Sequence, residues 1–250
     1  LAKLSRFLGS PMSGIFSTEG TIKGRLPNLE SDFDISLVNP QINGIRLQEE
    51  WKGEFISRGI GKGELRMKSV GAAVPGALSA RFIKNWLLDE VIVDRLGGTI
   101  IVQRNTELVD NHSNSFLWKA NSFRLDRVEV EAPKVKGFKR LFGEFGGNGT
   151  FDISPFKLDG LIKLRYARFM GFRLKEAKIK GSYLDNSYQV KGEILPPDKG
   201  IIFLNANGKL GGELSAKAKV KGLSPSWVAK TSLLIPKINL RASTTDLISS

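Results

Sequence analysis

The chain has 250 residues, with 38 Lys and Arg against 25 Asp and Glu, a formal charge of +13. It has no Cys, which excludes disulfide scaffolds, Cys-ligated zinc and thiol chemistry. The positive excess permits an anionic partner: membrane headgroups, nucleic acid or an acidic protein.

No apolar run reaches the roughly 18 residues that a bilayer-spanning helix needs, and no signal peptide is visible. The chain lacks an initiator Met and stops in a polar tail, Thr244 to Ser250, as expected of a piece of a longer protein.

Residues 1–10 read as a short helix or a frayed end. From Ile15 the pattern becomes that of strands. Phe16, Gly20, Ile22, Gly24 and Leu26 face one way, and Ser17, Glu19, Thr21, Lys23 and Arg25 the other. Pro27-Asn28 breaks the run, because proline cannot donate to a ladder. Phe33, Ile35 and Leu37 continue the inner face, and Asn39-Pro40 reads as a turn. Ile45 and Leu47, then Phe55, then Leu65 and Met67, mark three further short strands. Lys52-Gly53-Glu54-Phe55 and Lys62-Gly63-Glu64-Leu65 state a phrase that returns at Lys191-Gly192-Glu193-Ile194 and, altered, at Gly211-Gly212-Glu213-Leu214. Charge faces out, glycine in, charge out, apolar in. A recurring unit of this kind predicts a stack of similar rungs, not a closed globule.

Between Pro75 and the turn at Gly97-Gly98, the spacing of Leu78, Phe82, Trp86 and Leu87 predicts an amphipathic helix over 77–88. Strands resume at 99–103. Residues 105–115 form a polar loop, and 116–131 alternate imperfectly. Residues 137–149 are rich in Gly and Phe and read as a bend with one helical turn near Phe138 to Leu141. Residues 156–172 return to strands with Lys163 and Arg165 outward.

The clearest stretch is 178–223, four strands in succession. Ile179, Gly181 and Tyr183 form an inner set, followed by Val190, Gly192 and Ile194. Then come Ile202, Leu204, Ala206, Gly208 and Leu210, and last Leu214, Ala216, Ala218, Val220 and Gly222. Such alternation makes a one-sided antiparallel sheet. Ser224-Pro225 suits a helix start, and 233–240 a last strand. No Pro- or Ser-rich linker divides the chain. About fifteen to twenty strands at about 4.8 Å each would stack to roughly 70–90 Å if they do not close; a compact sandwich stays open.

Catalytic signals are few. His112, the one histidine, lies in a polar loop without the strained turn of a nucleophile. Gly59-Ile60-Gly61-Lys62-Gly63 lacks the spacing and the following Ser or Thr of a phosphate loop, and reads as a strand-to-strand turn. Asp32 and Asp34 share one outward face, where solvated carboxylates are the ordinary reading. No catalytic residue, metal ligand or cofactor is expected.

Three functions fit a greasy face backed by charge. Nucleic-acid binding needs cations clustered beside stacking aromatics, whereas here Glu and Ser interleave the lysines and Phe falls mostly inward. A β-helical enzyme or adhesin needs convergent acids or side-chain ladders, and neither is visible. An amphipathic conduit needs a continuous, shallow aliphatic lining. Each CH₂ left in water costs about 0.8 kcal/mol, so a two-chain lipid crossing water meets a barrier of roughly 20 kcal/mol, which such a lining removes. The same residues would serve as ordinary sheet core, and periodicity does not separate the two.

Leu158-Asp159-Gly160, the run from Phe172 to Gly181, Tyr188 to Ile194, Asn205-Ala206-Asn207-Gly208 and Gly222 to Trp227 resemble the repeats of the TamB/AsmA-like family, in the style of its cyanobacterial members. Leu37-Val38-Asn39-Pro40, with Gly44 and Trp51-Lys52-Gly53, is similar. The likeness covers most of the chain through loose repeats. It implies an all-β, mainly antiparallel fold: an elongated U-shaped groove, or β-taco, with one or two short helices. The chain would be a single fragment of that groove, 1–250, with 77–88 a helical insertion that interrupts the rungs. The resemblance also implies a periplasmic, envelope-spanning bridge, anchored in the inner membrane outside this piece. A BamA/TamA-type barrel of the outer membrane would be its partner. Phospholipid acyl chains would be its cargo, or outer-membrane protein assembly its task; a scaffold for preprotein import is the alternative. The residues expected to line the groove are Ile22, Phe33, Ile35, Ile179, Val190, Ile194, Ile202, Leu204, Leu210, Leu214 and Val220.

Overall fold

The structure, a computed structural model, describes residues 12–25, 28–42, 44–71, 75–106, 114–126, 128–131, 137–153, 156–169, 171–209 and 214–223. Among them are seventeen strands, paired antiparallel from β1 to β8 and from β12 to β17. In chain order they are β1 (Met12–Arg25), β2 (Asn28–Ile42), β3 (Ile45–Leu47), β4 (Glu50–Arg58), β5 (Gly63–Val70), β6 (Ala77–Ile83), β7 (Leu87–Arg95), β8 (Gly98–Arg104) and β9 (Ser115–Arg124). They continue with β10 (Val128–Glu131), β11 (Phe138–Ile153), β12 (Phe156–Phe169), β13 (Phe172–Arg173), β14 (Glu176–Leu184), β15 (Ser187–Leu195), β16 (Ile201–Lys209) and β17 (Leu214–Lys221). The all-β, antiparallel class read from alternation is the one found. No helix among the described residues is long and apolar enough to cross a membrane.

Two units make up the chain. Unit 1 is Leu1–Arg104 with Ala120–Leu141, and unit 2 is Asn105–Lys119 with Phe142–Ser250. Of its three crossings, two fall inside regular strand, in β9 and β11, and the third follows the last residue of β8.

In unit 1 the chain meanders from β1 to β2, then β4 to β8, each strand pairing with the next. Short β3 bridges the end of β2 to β10. The turns follow backbone sterics. Leu96 and Gly97, at φ 50° and 82°, close the two-residue hairpin between β7 and β8. Gly59 and Gly61 adopt positive φ between β4 and β5, so the glycine-rich run is the strand-to-strand turn expected of it.

Three local expectations are corrected. Residues 77–88 form no amphipathic helix. They are β6, a single tight turn at Lys84–Trp86, and the start of β7. Asn85 and Trp86 sit at φ 63° and 61°, left-handed values that no α-helix holds. Leu78 and Phe82 are four apart, which satisfies a helix, but Leu78, Ala80 and Phe82 also satisfy a strand, and cross-strand partners on both sides decide it. The bend assigned to 137–149 is instead part of the sixteen-residue strand β11, with no helical turn at Phe138. Asn39-Pro40 does not turn the chain. β2 runs through it, with Asn39 at φ 48°, and the register against β1 slips by one residue there, a β-bulge.

In unit 2, β12 pairs with β14 and with the short β13, and β14 to β17 follow as consecutive hairpins. Asp185 and Asn186, both at positive φ, make the tight turn between β14 and β15. Ala167, Leu174 and Ala177 are buried together under Leu164, Phe172, Ile179 and Ile194. This small cluster sits at one end of the apolar face. The helix and strand expected after Ser224, the helix or frayed end at 1–10 and His112 lie outside the described residues.

Candidate functional site

Register turns the alternation of unit 2 into ladders that run across the strands. One joins Leu164, Ala177, Ile194, Ile202 and Val220. The next joins Ile162, Ile179, Gly192, Leu204 and Ala218. A third is mostly small: Gly160, Gly181, Val190, Ala206 and Ala216. A fourth joins Leu158, Tyr183, Tyr188, Gly208 and Leu214. These ladders contain no charged residue. Large side chains lean over glycines; a Cβ on Gly192 would meet Ile179 Cγ1 at 3.3 Å. The result is a shallow relief, low along the Gly/Ala ladder and raised by Ile and Leu beside it.

Trp118 of β9 extends that low ladder. Its ring lies over Gly147, Gly149 and Gly160: Cβ atoms added there would meet it at 3.1, 2.7 and 2.8 Å. Only glycine leaves room for the indole. Phe145 stacks on it, centroids 6.1 Å apart, and its Nε1 is buried without a hydrogen-bond partner. Sequence reasoning missed this platform. Its glycines belong to two strands, and only the pairing of β11 beside β12 brings them under one ring.

In unit 2, Ile179, Val190, Ile194, Ile202 and Leu204 all lie on this face, each half-buried, and Val220 is 42% exposed. Leu214 is on the strand in register with Gly208, and Leu210 is outside the described residues. In unit 1, Phe33 and Ile35 are half-buried in β2, and Ile22 of β1 is 62% exposed. Ile35 belongs to the ladder Thr18, Ile35, Gly53, Met67, Leu78, Val93 and Ile100; Phe33 belongs to the ladder beside it, with Phe55, Leu65 and Ala80. Among the described residues of unit 1, Trp51, Met67, Ala80, Ala120, Phe123 and Val128 are fully buried.

The opposite face of unit 1 holds a trough of about 1,040 Å³. It follows two polar ladders across six strands. One contains Glu19, Asp34, Glu54 and Arg66, and the other Lys52 and Lys68. Of the eleven expected lining residues only Ile35 borders it. Arg66 bonds Glu64 at 2.7 Å, and Arg81 on the same face bonds Asp89 at 2.8 Å. Those hydrogen bonds, together with the adjacent negative charge, raise both guanidinium pKa values further above the ordinary range. Charged side chains thus line the trough beside apolar ones such as Met67, Leu78 and Ile92. Asp32 and Asp34 are both exposed on this face.

Elsewhere in unit 1, Arg95 and Glu49 form a fully buried ion pair, side chains 3% and 4% exposed. Among the described residues no group of His, Asp and Glu is placed to hold a metal ion. Comparison of the chain with family models, with curated proteins and with solved structures returns no match.

Proposed function

We propose that the apolar face of unit 2 receives phospholipid acyl chains, and that the chain works as a passive segment of an envelope-spanning bridge of the TamB/AsmA-like kind. Such a bridge would pass lipid between inner and outer membranes or support outer-membrane protein assembly. One observation carries the reading: four ladders across five strands contain only uncharged residues, and on them Ile179, Val190, Ile194, Ile202 and Leu204 are only partly buried while Val220 is exposed. A face built only to be core would close over them. Left open, it offers hydrocarbon a surface that spares about 0.8 kcal/mol for every CH₂ kept from water. The lining is aliphatic and repetitive, so neighbouring positions are near-equivalent and a chain can slide. Its low Gly/Ala ladder runs across the strands, the direction in which rungs stack.

Leu204→Asp tests it. Position 204 is central and half-buried, so strand content by circular dichroism should be unchanged. Acyl binding, read by quenching of Trp118 with brominated-chain phosphatidylcholine, should weaken roughly a hundredfold, because a carboxylate beside hydrocarbon must shed its water or take up a proton. Undiminished quenching in the folded variant, or none in the parent chain, would refute the proposal.

A further inference from the structure

The reverse side of the same five strands is as strongly charged as the first is apolar. Its two central ladders join Lys163, Lys178, Glu193, Phe203 and Lys219, and Leu161, Lys180, Lys191, Asn205 and Lys217. Six lysines stand against one carboxylate, and all six are exposed. Lys178 reaches Glu176 at 3.5 Å; among the described residues the other five make no ion pair. Lys163 lies directly opposite Lys178, and Lys180 opposite Lys191. Like charges placed so repel, and they cost the sheet stability. A fold indifferent to these positions would gain by replacing one of each pair.

The geometry points to an anionic bilayer surface as the partner of this face, recognised through the phosphodiester groups of its lipids. The cations form a two-dimensional lattice, about 5 Å apart from strand to strand and about 7 Å apart along a strand. That lattice meets a sheet of headgroups at many points at once, whereas a single polyanionic strand needs one track lined with stacking rings. The only ring on the two ladders is Phe203, half-buried; Tyr183 and Tyr188 point to the other side. Leu161 on the same ladders, and Leu184 nearby at 44% exposed, supply apolar contacts that suit the headgroup boundary. Acyl chains on the opposite face are not required for this docking, so the two readings stand or fall separately.

Sedimentation of the whole chain with vesicles tests it. Binding is expected with phosphatidylcholine vesicles containing phosphatidylglycerol, not with phosphatidylcholine alone, and should fall as salt rises. The triple change Lys180→Gln, Lys191→Gln, Lys217→Gln should weaken partition by roughly a hundredfold, and Lys191→Gln alone by about fivefold. Neither should lower the melting temperature, since a repulsive pair is relieved, and neither should alter acyl quenching of Trp118. Equal binding to uncharged vesicles would overturn the proposal, as would full retention by both variants. Tighter binding to a single-stranded oligonucleotide than to the anionic vesicles at equal salt would assign the face to nucleic acid instead.

Discussion

Arg95→Ala is expected to destabilise unit 1 by about 3–5 kcal/mol, the usual loss when one partner of a buried ion pair is removed. Arg95 sits at the end of β7 and donates from Nε to Glu49 Oε1 at 3.1 Å. It also donates to the Arg124 carbonyl at 2.8 Å and to that of Asp126. One guanidinium therefore ties together the start of β4, the end of β7 and the segment after β9. The alanine variant leaves the buried Glu49 carboxylate without its donor and removes one hydrogen bond from each of two part-buried carbonyls. The second carboxylate oxygen of Glu49 already lacks a partner. Replacing both members by apolar residues of similar size, Arg95→Met with Glu49→Leu, should recover most of the loss, because no buried charge remains. Urea unfolding followed by Trp51 fluorescence measures both. A loss under 1 kcal/mol for the single variant would show that water reaches the pair.

Phe116→Ala should cost unit 2 about 3–5 kcal/mol. Phe116 is 2% exposed and stacks on Phe151 with centroids 5.2 Å apart and planes 18° from parallel. Truncation opens a void that a strand backbone held on both sides cannot collapse into. Ile202→Ala, on the apolar face, gives the comparison. Its side chain is half-buried, so it has less transfer energy to lose and creates no closed cavity. The ratio of the two losses reports how sealed that face is. Phe116→Ala should lower the urea midpoint several times further than Ile202→Ala. Equal losses would mean that Ile202 is packed as tightly as Phe116 and is closed to any guest.

The four strands from 176 to 221 were legible because their side chains keep strict period two, and period two is a local property. The phrase Lys-Gly-Glu was legible for the same reason: Gly53 and Gly192 lie on the apolar ladders, with their charged neighbours on the far side. The stretch from Ala77 to Leu88 failed because one spacing, Leu78 to Phe82, fits both templates, and the choice rests on partners far along the chain. β11 was misread because eight of its sixteen positions are Gly or Phe, yet a strand between two neighbours tolerates glycine where rings press on it. Everything that depends on register stayed hidden. Trp118 over three glycines, the opposed lysine pairs and the charged trough each require knowing which residue faces which across a strand pair.

The path of the chain between the two units has a practical outcome for anyone dissecting the protein. Because the boundary is crossed at 104, at 119 and again at 141, no single truncation liberates either half with all its parts. A clone stopping at 104 forfeits the 120–141 segment, including the carbonyls that hold Arg95. One beginning at 142 forfeits Phe116 and Trp118. Dissection would need a rewired order of segments, with β9 and β11 each severed in mid-strand.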